Sequence, residues 1–431
     1  MLLTNVGQAL DRGEVEQALE ILRDEEALAV EDEEATLLYL RVLEARPAEA
    51  LSLGFFERAL TTHPTSARVR VAVCAGYNAV AELRPGDEIA PQGSAARRAA
   101  DIARESLQNV ELDAESEGYL WICLANALRR CGPDSDEEAL DAYRKALAID
   151  PSNAWWWFDI GVCHKWRGRW LEGLEAFERA ASGLRQERGL NWNIAICATG
   201  AGQGARAVDA WKAIGFQAQE TPQRGAPWVS GLPEVMVRLA GKGPGVGVEH
   251  QVPDRALGFE LLSVTPLSPC HGVVQSASFR ETPADYGDVV LWDGDPVTVR
   301  HGDEGEPIPV FPALGMISAG DERRLRFLAH EREPGAMEDL AAALPTGAHL
   351  QIHRERVEGM SPTASGPEPL IYGKLVATAE CDLISVRAVI ESRAAAATFL
   401  VPGLFEILGE TKRAGQEHKA WGGLERRWSS E

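Results

Sequence analysis

From the N-terminus to Phe216 the apolar positions recur at helical spacing, and beyond Phe216 they fall into short β-branched runs. Residues 1 to 28 read as a helix pair, with Val6 and Leu10 before a turn at Asp11-Arg12-Gly13 and Val15, Ala18, Leu19 and Leu22 after it. Residues 33 to 61 predict a second pair broken near Arg46-Pro47. A third begins near Ser66, with Val73, Cys74 and Tyr77 on one face. An insertion from Arg84-Pro85-Gly86 to Gly93 interrupts it, and Ser94 to Val110 completes it. From Gly118 to Phe216 the pattern becomes periodic. Tyr143, Phe177 and Trp211 stand 34 residues apart; Ala139, Gly173 and Ala207 precede them by four, and Ala146, Ala180 and Ile214 follow by three. The preceding helices keep the same step, Trp157, Ile160, Gly161 and His164 matching Asn191, Ile194, Ala195 and Ala198. Two antiparallel helices cannot bury their apolar faces alone, so such units stack into one continuous core. About six pairs result, three degenerate and three regular.

This lattice, with Asp150-Pro151 closing one unit, resembles the tetratricopeptide repeat: Trp-x2-Leu-Gly-x2-Tyr, then Ala-x3-Phe, then Pro. Residues 56, 59 and 64 (Phe56, Ala59, Pro64) match the same Phe, Ala and Pro positions. The resemblance covers the N-terminal half only. It implies a partner-binding scaffold in which the first helix of each pair lines a concave face. The groove-facing positions hold Trp121, Leu124, Leu128, Trp155, Phe158, Asp159, Val162, Trp192, Asn193 and Ile196. Relatives that clamp an acidic peptide terminus use Lys, Asn and Arg here, whereas Leu124, Phe158 and Trp192 stand where a clamping Lys would be. The resemblance therefore implies a hydrophobic peptide or helix, with Asp159 and Asn193 fixing its register. The chain's own C-terminal half is the competing occupant, since Trp155-Trp156-Trp157 cannot all be buried within one helix pair.

After Phe216 the composition shifts. Residues 217–234 carry Pro222, Pro227 and Pro233 and read as a linker. Residues 235–320 predict a small, partly closed β-rich domain, with strands at Phe259 to Thr265, Gly272 to Phe279, Asp288 to Trp292 and Val297 to Arg300. Residues 321–431 predict a ferredoxin-like βαββαβ unit. Its strands are Arg324 to His330, His349 to Val357, Leu370 to Glu380 and Thr398 to Val401; its helices are Gly335 to Leu344 and Leu383 to Ala396. A Pro/Gly/Ser loop spans Gly359 to Pro369, and a final helix over Leu404 to Trp428 should break at Gly422-Gly423. The predicted fold class is α+β multidomain, with an all-α solenoid over 1–216.

Charge narrows the partners. A net charge of −22 argues against a general nucleic-acid binder and against docking on anionic membranes. No apolar stretch approaches the ~20 residues that span a bilayer. Seven cysteines without a CxxC pair, and an N-terminus without a basic region and apolar core, predict a cytoplasmic protein.

The β-rich half supplies the candidate chemistry. Pro269-Cys270-His271-Gly272 could hold a nucleophile–base or metal pair, although neighbours on a strand point to opposite faces. Asp285, Asp288, Asp293 and Asp295 could ligate calcium, against a solvated Asp293-Gly294 turn. The stretch from Asp285 to Val297 is similar to a strand-and-turn segment common in amidohydrolases, but the His-x-His those enzymes need occurs nowhere. His349 and His353 share a strand face ~13 Å apart, too far for one metal. Gly241 to Gly247 lacks the Gly-x4-Gly-Lys-Ser/Thr spacing of a phosphate loop. The leading expectation is a scaffold without enzyme activity, cofactor or metal. The alternative is a metal- or thiol-dependent enzyme built around Cys270, His271, Asp288 and Asp293.

Overall fold

The computed structural model describes residues 2–429 except 13, 25, 47–53, 83–91, 222–225, 241–258, 279–281, 303–304 and 354–369. Residues 84–91 of the insertion, the Gly241 to Gly247 run and the Gly359 to Pro369 loop lie outside the described residues, as do Pro47 and part of the linker; the insertion's last two residues, Gln92 and Gly93, begin a helix.

The N-terminal half is a tetratricopeptide-type stack of helix hairpins. It comprises α1 (Leu2–Asp11), α2 (Val15–Asp24), α3 (Glu26–Glu31), α4 (Glu33–Ala45), α5 (Gly54–Thr62), α6 (Ala67–Glu82) and α7 (Gln92–Asn109). The regular repeats follow as α8 (Ala114–Cys131), α9 (Asp136–Ile149), α10 (Ala154–Trp166), α11 (Trp170–Leu184), α12 (Arg188–Gly200) and α13 (Gly204–Ala213). Asp113 and Asn153 cap α8 and α10 by accepting from the Ser116 and Trp156 amides at 2.7 and 3.3 Å, each satisfying a donor the helix start leaves over. The lattice aromatics Tyr143, Phe177 and Trp211 are buried. Gly161 lies so close to Phe177 that a Cβ would sit 2.6 Å from the ring, which is why a glycine stands there. Gly168 (φ 68°) and Gly202 (φ 71°), one period apart, take the left-handed turn between paired helices.

The C-terminal half is β-rich. A short ribbon, β1 (Gln219–Glu220) and β2 (Pro227–Trp228), leads into β3 (Val235–Ala240), β4 (Phe259–Ser268), β5 (His271–Val274), β6 (Val289–Trp292), β7 (Thr298–His301) and β8 (Pro307–Ser318). The sheet order is β3-β4-β5-β6-β8-β7, and β3 also pairs with β8 in parallel, Val237 opposite Phe311. That pairing closes the sheet into a small barrel around Val237, Leu262, Val274, Val290 and Trp292. The sequence-predicted strands omit β3 and β8. Pro307, Pro309, Pro312 and Gly315 disguise the latter, which serves β7 and β3 with its first part and β6 with its second.

The final unit runs β9 (Arg323–Glu331), α14 (Ala336–Ala343), β10 (Ala348–His353), β11 (Ile371–Ala377), α15 (Leu383–Ser392), β12 (Ala397–Leu400), α16 (Pro402–Ile407) and α17 (Thr411–Ser429). Its strands pair antiparallel in the order β10-β11-β9-β12. The helix break expected at Gly422-Gly423 falls instead at Gly409 (φ 77°), and α17 runs through the glycine pair. A glycine inside a helix costs only about 1 kcal/mol. Trp421 against Tyr372 and the Glu417 carboxylate on the Val401 amide (2.7 Å) hold α17 in place.

The halves share packing. Cys270 and Leu291 of the barrel sit in one apolar cluster with Leu190, Ile194 and Trp211 of the array. The barrel meets the final unit through buried charge: Arg324 donates to Asp288 at 2.5 Å, and Lys374 pairs with Asp285 while donating to Ser278 at 2.9 Å.

Candidate functional site

The first helices of four successive pairs and the rim of the barrel enclose a cavity of about 550 Å³. Glu82 comes from α6, Arg129 and Arg130 from α8, Phe158, Val162, Lys165 and Trp166 from α10, and Arg188, Gly189, Trp192 and Asn193 from α12. The barrel closes it with Arg238 of β3, Pro312 of β8 and the turn Asp293 to Val297 between β6 and β7. A volume in this range is typical of sites that bury most of a small ligand.

The turn is seated by charge and by a glycine. Lys165 Nζ donates to both carboxylate oxygens of Asp293 at 3.0 and 2.9 Å and to Asn193 Oδ1 at 2.8 Å. Asn193 is held in turn by donating to the Gly189 carbonyl at 2.8 Å. Trp192 lies tight against Gly294, where a Cβ would fall 2.0 Å from the indole nitrogen. The same indole meets Trp211 edge to face at 4.9 Å. Part of the groove is therefore occupied by the chain's own C-terminal half.

Of the residues expected to face the groove, Phe158, Val162, Trp192 and Asn193 line the cavity. Trp155 is 54% exposed and meets Phe158 edge to face at 5.8 Å. Leu124 and Ile196 do not face the groove: both are buried in the helix stack, where apolar residues gain most from neighbouring hairpins. Asp159 accepts from Asn126 at 3.1 Å, against α8, so it sets no register in the cavity. Burial raises its pKa, while Asn126, Arg129 and Arg130 work the other way. Trp121 packs under Lys145 of α9, the ammonium 4.3 Å from the ring centre.

The cations were missed. Arg129, Arg130, Lys165 and Arg238 are each at most 6% exposed, and Arg188 joins them at the exposed start of α12. The signal was present on α10, where Phe158, Val162 and Lys165 follow one another at the spacing of a single helix face. Arg130 pairs with Glu82 and donates to the Asn126 carbonyl at 3.0 Å; burial lowers its pKa to about 10.

Of the residues of the enzyme alternative, Cys270 and His271 share Ser268, whose Oγ lies 3.5 Å from Cys270 Sγ and 2.6 Å from His271 Nδ1, whereas Asp288 and Asp293 are each held by a separate cation. Cys270 is buried against Thr199 of the array, and burial raises its thiol to about 12, far from a reactive thiolate. His271 bonds Ser268 Oγ through Nδ1 at 2.6 Å, and burial lowers it to about 4. Asp288 is taken by Arg324 and by the Gly320 and Asp285 amides, both at 2.8 Å. Asp285 is taken by Lys374 and by the Ser278 and Tyr286 amides, and Asp293 by Lys165. These contacts use the oxygens calcium would need. His349 meets Tyr286 edge to face at 4.9 Å, and the His353 side chain lies outside the described residues. Among the described residues, no three His, Cys, Asp or Glu side chains are grouped to hold a metal. No described helix is long and apolar enough to cross a membrane.

No family model matches the sequence, and no curated protein sequence matches it. Solved structures resemble its helical half. MamA aligns with 49% of this chain and 87% of its own at 14% identity and a TM-score of 0.29. The human IFIT1 dimer with m7Gppp-AAAA aligns with 47% of this chain and 45% of its own, at 17% identity and a TM-score of 0.37. TTC0263, a tetratricopeptide protein of Thermus thermophilus, aligns with 46% of this chain and 96% of its own at 15% identity and a TM-score of 0.33. The chain spans less than half the length of IFIT1.

Proposed function

We propose that this chain is a cytoplasmic interaction scaffold whose receptor is the channel between the helical array and the barrel, and whose partner is a protein segment with apolar side chains. The observation that carries the reading is the cavity wall of Phe158, Val162, Trp166 and Trp192, continued outside by the exposed ring of Trp155. Large rings with one face uncovered are the residues that dominate protein recognition. The barrel turn occupies one end of the groove, so the partner uses what the turn leaves open.

The domain limits 1–216, 217–234, 235–320 and 321–431 belong to this proposal, as does a ferredoxin-like final unit. The strand order β12-β9-β11-β10, with a helix after β9 and another after β11, supports the latter. The buried, unpaired thiols Cys163, Cys197 and Cys270 suit a reducing compartment.

Phe158→Ala combined with Trp155→Ala is the test, in the full chain. Trp192 is left intact because it seats the barrel. A photo-crosslinking amino acid placed at Tyr119, exposed on α8, should give one stoichiometric partner adduct that the double substitution removes. An adduct of undiminished yield in the folded double variant would take the channel out of the account.

A further inference from the structure

β10 is one edge of the final sheet, paired along its whole length with β11, from Ala348 opposite Ala377 to His353 opposite Tyr372. Among the described residues no second strand pairs with it. The ladder fixes which of its backbone groups are left over. The Thr378 N–H donates to the Gly347 carbonyl at 2.8 Å, and the register puts those two residues directly opposite each other. Opposed residues in an antiparallel pair alternate between bonded and non-bonded sites. Gly347, His349 and Gln351 therefore turn their N–H and C=O toward β11, and Ala348, Leu350 and Ile352 turn theirs away. The Ala348 amide returns to the Pro345 carbonyl at 3.0 Å, in keeping with that direction. The N–H and C=O groups of Leu350 and Ile352 take no partner among the described residues.

An open edge is a template for another strand, and folded proteins usually blunt it with charge, proline, a bulge or a covering element. The edges β12 and β7 are blunted. α17 packs against β12, with Glu417 on the amide of Val401, the residue after the strand. β7 is four residues long and carries Arg300. β10 has none of these devices. Its six residues, Ala-His-Leu-Gln-Ile-His, include no Lys, Arg, Asp, Glu or Pro, and their register is unbroken. Ala348 and Leu350 lie on the face that packs against the core of the unit, and Ile352, on the same face, is 39% exposed. His349 is on the other face, against Tyr286.

We infer that β10 is a self-association surface whose occupant is β10 of a second copy, running antiparallel about a two-fold axis at Leu350. That register sets Leu350 opposite Leu350, Ala348 opposite Ile352 and His349 opposite Gln351. It pairs the outward groups of the two Leu350 residues with each other and gives each Ile352 N–H the Ala348 carbonyl of the other copy. Apolar side chains stay on one face and polar ones on the other. A slip of one residue would set the outward groups of one copy against the inward groups of the other, so the choice of register is narrow. Charge selects a second copy as the occupant. Two chains of net charge −22 repel wherever their acidic surfaces meet, and β10 offers a strip without a formally charged side chain. Charge on an edge strand is the usual guard against pairing with its own kind, and here the guard is missing. The two-fold uses the same edge of both chains, so the assembly closes at a dimer in which the two sheets become one.

Sedimentation velocity and hydrogen–deuterium exchange on the full-length protein test this. A concentration-dependent equilibrium between monomer and dimer is expected. The Leu350 and Ile352 amides should become protected as the dimer forms, while the Gln351 amide, turned toward β11, is protected in both states. Ile352→Lys, at an exposed position, should raise the dimer dissociation constant ~10-fold or more, because the interface loses two buried isoleucines and gains two ammonium groups. Ile352→Pro should act alike by deleting an outward N–H, which an edge strand tolerates. Gln351→Pro deletes an inward one and should destabilise the monomer itself. If Ile352→Pro does not fold, Ile352→Lys decides. A protein that stays monomeric at every concentration, a dimer indifferent to Ile352→Lys, or Leu350 and Ile352 amides protected equally in monomer and dimer would overturn the proposal. Protection that appears only when another protein is added would give the edge to a foreign strand and remove the second copy.

Discussion

Lys165, on α10, holds Asp293 at 2.9 Å across 128 residues of sequence, the ammonium almost wholly buried and the carboxylate partly so. This pair fixes how the barrel sits in the concave face of the array. Removing one partner leaves the other charge buried without compensation, which typically costs about 3–5 kcal/mol. Lys165→Met should therefore lower Tm substantially. Adding Asp293→Leu should recover much of the loss, because an apolar pair of similar volume carries no desolvation penalty. A double-mutant cycle by chemical denaturation measures the coupling; strictly additive losses would mean that the pair does not act as a unit.

Gly294 makes a second prediction at the same contact. A methyl group there would overlap Trp192, which is itself hemmed in by Trp211 and Phe216. Gly294→Ala should destabilise by about 1–3 kcal/mol, the usual range for overpacking. Trp192→Leu in the same chain should relieve most of it. If Gly294→Ala is silent in a protein that keeps its barrel docked, the turn is not seated as described.

How far the sequence discloses this arrangement can be argued from these residues. The helix pairs were legible because Tyr143, Phe177 and Trp211 report packing within and between neighbouring units, and such local packing repeats in the sequence. Phe158 and Trp192 were legible for the same reason. Asp293-Gly294 was legible as a turn, but not as the group that Lys165 grasps, since nothing local encodes a partner 128 residues away. The arginines were passed over because a charged residue on a helix reads as solvated until the element covering it is known. Here the covering element is the barrel rim, formed by β3, β8 and the Asp293 turn, and prolines kept β8 from view.

Thiol chemistry separates a packing role from a catalytic one. Burial raises Cys197 and Cys270 to about 12, and neither is accessible. A soluble thiol reagent at pH 8 should label Cys131, the partly exposed cysteine, well before these two, which should react only on unfolding. Mass-spectrometric mapping of the label over time reads this directly. Rapid labelling of Cys270 in the folded chain would revive the thiol-enzyme alternative.

His271 gives the chain a defined weakness toward acid. Its ring is buried beside Ser268 and the neutral Cys270, and burial depresses its pKa from 6.5 to about 4. The unfolded chain thus binds a proton between those two values that the folded chain refuses. Stability from this group is fully present above pH 6.5 and is lost as the pH falls toward 4, by about 3 kcal/mol in all. His271→Asn keeps a hydrogen-bonding group near Ser268 but cannot take up the proton. The variant should be the less stable protein at pH 7.5, where the native ring packs better, and the gap should narrow or reverse by pH 4.5. Urea denaturation of both proteins across this range makes the comparison, with the titrations common to both cancelling in the difference. Curves that stay parallel from pH 7.5 to 4.5 would show that His271 is protonated as readily in the folded chain as in the unfolded one.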